Sequence, residues 1–378
     1  MATLTFMTQT IFDHGASAQL GQVLIERGIT KPLLCTDKGL VNLGMVGDLV
    51  THVGNSAALT IFDGTPENPT QMSVEEAVAL YRDAGCDGVV ALGGGSSMDL
   101  AKAVALAVTH DGDLLEYTAG LGGTEKIGTV APLIAIPTTS GTGSEVSSGS
   151  VIIMNNGEKL ILISRNLVPI TAICDPSLTL GLPPILTAAT GMDAMTHCIE
   201  ALLSPEVNPP AEAVACDGIE RGIRDGQLVK AVQDGQDKDA RWHMMMAATE
   251  GAMAFSKGLG AVHSMSHACG ADQTLRLHHG TLNAVILPTI LDYNRSHVGD
   301  KYTRLNAAMG IAPDADPADF IRELNASIGL PANLSKMGVN ADSIPALAQH
   351  SARDVCTFTN PKPCSAEDYE VLFTTALG

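Results

Sequence analysis

The first half of the chain alternates short apolar runs with amphipathic stretches. PLLCTD (32–37) and AALTIFDG (57–64) have the length of strands, and a helix-like stretch runs from about Ser73 to Ala84. DGVVALGGGSSMDLAKAVAL (87–106) reads as buried strand, glycine turn and helix in succession, and APLIAIPTTSGTGSE (131–145) as strand followed by a Gly/Thr/Ser loop. VIIM, KLILIS and TAIC add extended segments up to Cys174. Strands separated by helical patterns predict βαβ units and a largely parallel sheet. After DPSLTLGLPP (175–184) the β-branched runs thin out, and long helical stretches such as DARWHMMMAATEGAMAF (239–255) take over. The expectation is an α/β domain over residues 1–178 followed by an all-α domain over 179–378.

Size agrees, since 378 residues exceed what one core usually supports. Aromatics make up only 3%, so the core must be aliphatic and methionine-rich. A net charge of -19 argues against nucleic acid or an anionic membrane as partner, because both need basic patches. The opening MATLTFMTQTIFDHGA lacks the basic flank and apolar run of a signal peptide, and no apolar run of membrane-spanning length occurs. Eight cysteines are scattered singly, without a C-x-x-C pair, which reads as reduced thiols. A soluble cytoplasmic protein is expected.

GGGSSMDLAK follows a strand and opens a helix. Glycine there lets backbone approach a phosphate while the helix N-terminus supplies donors. It is not the G-x-G-x-x-G fingerprint, and a plain βα turn is the competing reading. PTTSGTGSE adds hydroxyls and glycines at the end of a neighbouring strand, and paired loops at strand C-termini are where open α/β sheets bind ligands. Asp37 ends the LLCTD strand. A carboxylate there could accept from a ribose 2′-hydroxyl and would repel a 2′-phosphate, favouring NAD over NADP. Taken alone, Asp37 also fits a simple turn.

HSMSHACGADQTLRLHHG (263–280) holds four of the chain's 11 histidines. His263 and His267 are four apart, as are Asp193 and His197 within GMDAMTHCIEALLS, so each pair shares one helix face. Two such pairs plus a histidine from RLHHG can converge on one ion as a carboxylate and imidazoles. That donor set suits Fe2+ or Zn2+ and argues against Ca2+ or Mg2+. The remaining histidines are isolated. A Lewis acid of this kind lowers the pKa of an alcohol oxygen, and a nicotinamide site in the other half would complete the layout of a dehydrogenase.

At this point the chain resembles the iron-containing (group III) alcohol dehydrogenase family. The resemblance is carried by GGGSSMDLAK, PTTSGTGSEV, DPSLTLGLPP, AATGMDAMTHCIEA, GLGAVHSMSHACGA, HHGTLNAVILP and CTFTNPKP, in one order from about Asp37 to the C-terminus. It implies a dinucleotide domain followed by a helical metal domain, with NAD(P) and substrate between them, and a homodimer. Carried onto matching positions, the metal ligands would be Asp193, His197, His263 and His279. His267 would be the histidine near the substrate that relays a proton. Cofactor contacts would come from Asp37, Asn68, Gly94, Gly95, Ser96, Asp99, Thr138, Thr139, Thr142 and Lys159.

The chain departs from the family pattern in two places. The spacing from His263 to His279 is longer than usual and His278 stands where a proline is common, so His278 is the fallback ligand. Lys257 replaces a small or amide residue. NPPAEAVACDG, FSKGLG and RLHHGTLNAV look most similar to the 4-hydroxybutyrate dehydrogenase branch. Lys257 or Arg276 could then pair with a substrate carboxylate, or be solvated surface cations. The expected reaction is reversible, NAD-linked oxidation of a small primary alcohol or ω-hydroxy acid, 4-hydroxybutyrate favoured. Lactaldehyde or 1,3-propanediol chemistry and a Zn2+ glycerol dehydrogenase-like enzyme are the alternatives. A nucleotide module with a structural metal is the rival from another class.

Overall fold

The structure, a computed structural model, describes residues 8–271, 275 and 277–378. They form two compact units. One runs through Thr139 and resumes over Gly143–Thr179, and the other comprises Ser140–Thr142 and Leu180–Gly378.

The first unit is built on strands β1 (Gln9–Phe12), β2 (Pro32–Cys35), β3 (Thr60–Phe62), β4 (Gly88–Gly93), β5 (Leu133–Pro137) and β8 (Thr171–Cys174). They form one sheet in the order β1-β8-β5-β4-β2-β3, every pairing parallel. Both faces are covered, which is why β2, β4, β5 and β8 are continuous apolar runs rather than alternating ones. Leu33, Val89, Ala91, Leu133 and Ala135 pack to one side with Val74, Met98 and Val104. Leu34, Val90, Leu92, Ile134 and Ile136 pack to the other with Leu20, Leu24 and Leu49. The extended segments VIIM and KLILIS are a separate antiparallel hairpin, β6 (Gly149–Ile153) with β7 (Lys159–Ile163).

From β2 the chain runs outward to β3, then returns to place β4 on the other side of β2. That reversal is a topological switch point, where parallel sheets of this kind open a crevice at their carboxyl edge.

Two buried charges lock this unit. Lys102 Nζ donates to Ser144 Oγ (2.9 Å), Ser147 O (2.9 Å), Ser147 Oγ (3.0 Å) and Gly149 O (2.8 Å). It thereby ties the helix Gly95–Ala107 to the segment entering β6. Burial pushes this ammonium down to about 8. Asp175, just past β8, accepts from Gly15 N (2.9 Å), Ser17 N (3.1 Å), Ser17 Oγ (2.7 Å) and Ser177 N (3.0 Å).

The second unit is helical, with no strand among its described residues. Pro184–Leu203 is its central helix, begun by Pro184 at the first position, where proline's fixed φ suits a helix. Pro209–Ile219, Lys238–Ala254 and His279–Asn294 pack around it over a core of alanine, leucine, isoleucine and methionine. Gly280 lets one neighbour come close, since a Cβ there would lie 2.3 Å from Ala189 O.

Burial alone would raise the Asp175 carboxyl, but the Ser17, Gly15 and Ser177 donors outweigh it and hold the pKa below the ordinary value. The stability it confers is therefore present above the unfolded value of about 4 and is lost as pH falls through the folded one. Denaturation of the wild type and of Asp175→Asn from pH 7 to acid is expected to show a gap that closes below about pH 4. A gap of constant size across that range would refute this role for the carboxylate.

Candidate metal and active site

Asp193 and His197 lie one turn apart on the buried face of Pro184–Leu203. His263 comes from Ala261–Gly270, and His279 is the first residue of His279–Asn294. Asp193 Oδ1 lies 3.8 Å from His197 Nε2, 4.0 Å from His263 Nε2 and 3.7 Å from His279 Nε2. Ligand atoms set tetrahedrally at about 2.1 Å from one ion stand about 3.4 Å apart. Asp193, His197 and His263 place theirs within 4.8 Å of one another, and His279 approaches this group on the Asp193 side. His278 instead caps the helix that His279 begins, Nδ1 accepting from Thr281 N at 3.4 Å.

The chemistry of the cluster fits a cation. His197 is pushed down to about 4, chiefly by burial, so its imidazole is neutral and offers a lone pair. Asn283 Nδ2 lies 2.7 Å from Asp193 Oδ1 and 3.1 Å from both His263 Nε2 and His279 Nε2. One amide with two hydrogens thus faces three acceptor atoms, while its own Oδ1 is buried and finds no hydrogen-bond partner among the described residues. A focus of acceptors that exceeds the local donors is what a divalent ion relieves.

Two further carboxylates hold imidazoles in place. Glu200 Oε2 lies 2.5 Å from His263 Nδ1, and Glu200 Oε1 accepts from Val262 N at 2.8 Å. Burial alone would push His263 down, but the Glu200 carboxylate outweighs it and holds the imidazole above its usual value. Asp354 Oδ2 accepts from His267 Nδ1 at 2.9 Å, and its other oxygen accepts from Cys356 N at 2.8 Å. Burial would raise the Asp354 carboxyl, yet His267 and Cys356 keep it well below the usual carboxylate range. The His267 ring stacks against His279, 5.5 Å between centroids. Sequence reasoning missed Glu200, Asn283 and Asp354. Glu200 and Asn283 carry a helical signal, three residues after His197 and four after His279, whereas Asp354 is remote in sequence.

The expected substrate cations fare differently. Lys257 is a correction: its side chain is fully buried, and Nζ donates to Ala201 O (3.0 Å), Leu202 O (3.3 Å) and Ser204 O (2.6 Å) while pairing with Glu212 Oε1 (3.0 Å). These are the last carbonyls of the central helix, so the ammonium is a helix cap rather than a carboxylate clamp. Arg276 lies outside the described residues.

In the α/β unit, Asp37 follows β2, Gly94 follows β4 and Thr138 follows β5, three adjacent strands opening at one edge. Gly93 has φ +151°, and a Cβ there would strike Ser97 Oγ at 2.5 Å. Gly94 caps the helix that Gly95 begins, without a side chain, and a Cβ on it would lie 3.4 Å from Thr139 Oγ1. Ser96 Oγ donates to Glu67 O. Asn68 Oδ1 accepts from Lys159 Nζ at 3.0 Å, and burial pushes that ammonium down. Asp99 Oδ1 accepts from Ser144 Oγ (3.0 Å) and Oδ2 from Val151 N (3.1 Å), so it braces the hairpin. Asp37 caps the short helix Lys38–Asn42 through Leu40 N at 3.1 Å. Thr142 groups with the helical unit.

One carboxylate and three imidazoles thus gather in the helical unit, and a glycine-opened parallel sheet forms the other. The chain belongs to the iron-containing alcohol dehydrogenase family: residues 7–176 match the family's model and residues 187–377 match the model of its C-terminal region. It is an enzyme with alcohol dehydrogenase activity. It is 48% identical over 377 residues to 4-hydroxybutyrate dehydrogenase of Cupriavidus necator, covering 98% of each chain. Among solved structures it is similar to 1,3-propanediol oxidoreductase, with a TM-score of 0.94, 32% identity and coverage of 99% and 100% of the two chains. Sulfoacetaldehyde reductase from Bifidobacterium kashiwanohense, solved in complex with NAD+, gives a TM-score of 0.89 at 25% identity, covering 100% of this chain and 99% of its own.

As a helix cap, Lys257 makes a stability prediction. Lys257→Ala removes the donor to the Ala201 and Leu202 carbonyls, while Arg304 and Lys301 still face Glu212 and Lys301 still reaches Ser204 O, and is expected to cost about 2 kcal/mol in denaturant unfolding. KM for 4-hydroxybutyrate and for butan-1-ol should stay alike in the folded variant. A selective rise in KM for the hydroxy acid at unchanged stability would restore the clamp.

Proposed function

We propose that this chain is an NAD-linked, iron-dependent alcohol dehydrogenase. Its reaction is reversible oxidation of small primary alcohols or ω-hydroxy acids to the aldehyde, with 4-hydroxybutyrate the favoured substrate. The observation that carries this reading is the convergence of three Nε2 atoms within 4.0 Å of Asp193 Oδ1. The substrate rests on the 48% identity to 4-hydroxybutyrate dehydrogenase. A short-chain diol or lactaldehyde-type substrate is the second reading, favoured by the 0.94 TM-score to 1,3-propanediol oxidoreductase.

Asp193, His197, His263 and His279 would hold the ion, and a bound Fe2+ supplies Lewis acidity toward an alcohol oxygen. Zn2+ suits the same donors. His267 Nδ1 faces Asp354, which leaves Nε2 as the proposed base that takes the substrate's hydroxyl proton. Gly94, Gly95 and Ser96 at the helix start are the proposed pyrophosphate cradle, backed by Asn68, Lys159, Asp99, Thr138, Thr139 and Thr142. Asp37 at the switch point is the proposed ribose acceptor, which favours NAD over NADP. The enzyme is proposed to act as a cytoplasmic homodimer. Among the described residues no helix is long and apolar enough to cross a membrane.

A panel of C2 to C5 alcohols, diols and hydroxy acids, assayed with NAD and with NADP, tests the reading. Turnover should be highest in kcat/KM for 4-hydroxybutyrate with NAD, disappear on chelation, and return with Fe2+. Turnover that survives complete removal of metal would mean that any bound ion is structural. Equal kcat/KM for butan-1-ol and 4-hydroxybutyrate would remove the substrate assignment.

A further inference from the structure

We propose that Glu200 is the positioning residue that makes the metal centre tight, by fixing which nitrogen of His263 faces the ion. The inference rests on the metal reading above and concerns a residue that supplies no ligand atom.

Glu200 sits on the same helix as Asp193 and His197, and its side chain is 5% exposed. Among the described residues no lysine or arginine pairs with it. A buried carboxylate without such a partner costs several kcal/mol unless other groups compensate it. Its two oxygens are each taken by an N–H on consecutive residues, Val262 N at 2.8 Å and His263 Nδ1 at 2.5 Å. Gly260 makes room for the contact, because a Cβ there would lie 2.8 Å from Glu200 Oε1. Across the His263 ring, Nε2 is the atom 4.0 Å from Asp193 Oδ1. The carboxylate therefore holds the proton on Nδ1, leaves the Nε2 lone pair directed at the ligand cluster, and raises its basicity. A cation bound beyond the ring would add positive charge on the far side of the imidazole that Glu200 holds.

Both partners of Glu200 are donors, so the site needs two acceptor oxygens. Glutamine supplies one. In Glu200→Gln the amide NH2 must face either Val262 N–H, which pushes the bracket apart, or His263 Nδ1, which drives the ring proton to Nε2. Either outcome weakens the lone pair offered to the ion. Glu200→Asp keeps the charge and both oxygens but shortens the reach by one methylene.

The test is anaerobic titration of the apoprotein with Fe2+ against a chromophoric chelator, for wild type, Glu200→Gln, Glu200→Asp and His197→Ala. Circular dichroism and NAD binding serve as controls for the fold. Glu200→Gln should raise the Kd for Fe2+ by about 10- to 100-fold and regain most of its kcat when Fe2+ is raised to saturation. Glu200→Asp should lie between it and the wild type. His197→Ala should lose the ion outright. A Kd for Glu200→Gln within twofold of the wild type overturns the proposal, as does a loss of kcat that saturating Fe2+ leaves unchanged. If Glu200→Gln fails to fold, Glu200→Asp decides by the same criterion. Failure of the wild type itself to bind Fe2+ would instead sink the metal reading, leaving the two failures distinguishable.

Discussion

The structure of the helical unit depends on how charge is kept inside it. The helix Pro184–Leu203 carries Asp193, His197 and Glu200 on its buried side, and its last carbonyls would otherwise end within apolar surroundings. Each buried charge is answered by a specific partner. Glu200 is bracketed by two N–H groups, Asp193 accepts from Asn283, and the helix end is closed by the Lys257 ammonium. Lys301 reinforces that end by donating to Leu203 O at 3.3 Å and to Ser204 O. The helix is thus pinned at its C-terminus, one turn beyond Glu200. Pinning matters because ligand atoms must meet within tenths of an ångström to share one ion.

The α/β unit meets the same constraint with different parts. Asp99 and Lys102 stand in the GGGSSMDLAK motif, from which the family resemblance draws Asp99 as a cofactor contact. Lys102 is completely surrounded by acceptors of the 144–149 segment, and Asp99 shares Ser144 with it. Their joint effect is to fix the loop after β5 against the helix after β4, two of the segments that line the carboxyl edge of the sheet. The glycines shape that edge, and the hydrogen bonds of Lys102 and Asp99 to Ser144 and its neighbours keep the shape.

The layers, and the carboxylate and imidazoles that the fold brings together, could be read from the sequence because both rest on short periods. Continuous apolar runs mark strands buried on two faces, and D-x-x-x-H with H-x-x-x-H mark helix faces that can chelate. The boundary expected at 178 lies beside the change of unit at Leu180, but the grouping of Ser140–Thr142 with the helices depends on tertiary contacts that no local pattern encodes. That His279, and not His278, lies beside Asp193 depends on where the helix starts, since adjacent residues differ by about 100° around the axis. Lys257 was misread for a related reason. A lone lysine next to a glycine carries no mark of burial, and its role appears only when the end of a helix more than 50 residues earlier is brought to it. Asp354, 87 residues from His267, was out of reach in the same way.

Small residues make the convergence possible. A Cβ on Gly191 would lie 2.3 Å from Leu228 Cδ1, one on Gly251 3.0 Å from Ala194 O and 3.1 Å from His197 Cβ, and one on Gly280 2.3 Å from Ala189 O. These glycines hold three neighbouring elements at distances that any side chain would increase. Gly280 follows His279 directly, so a displacement at this contact moves the His279 imidazole away from Asp193 as well as moving a helix. The glycines of this helix and its neighbours cost helix propensity, about 1 kcal/mol each relative to alanine. That cost is accepted where backbone must approach backbone.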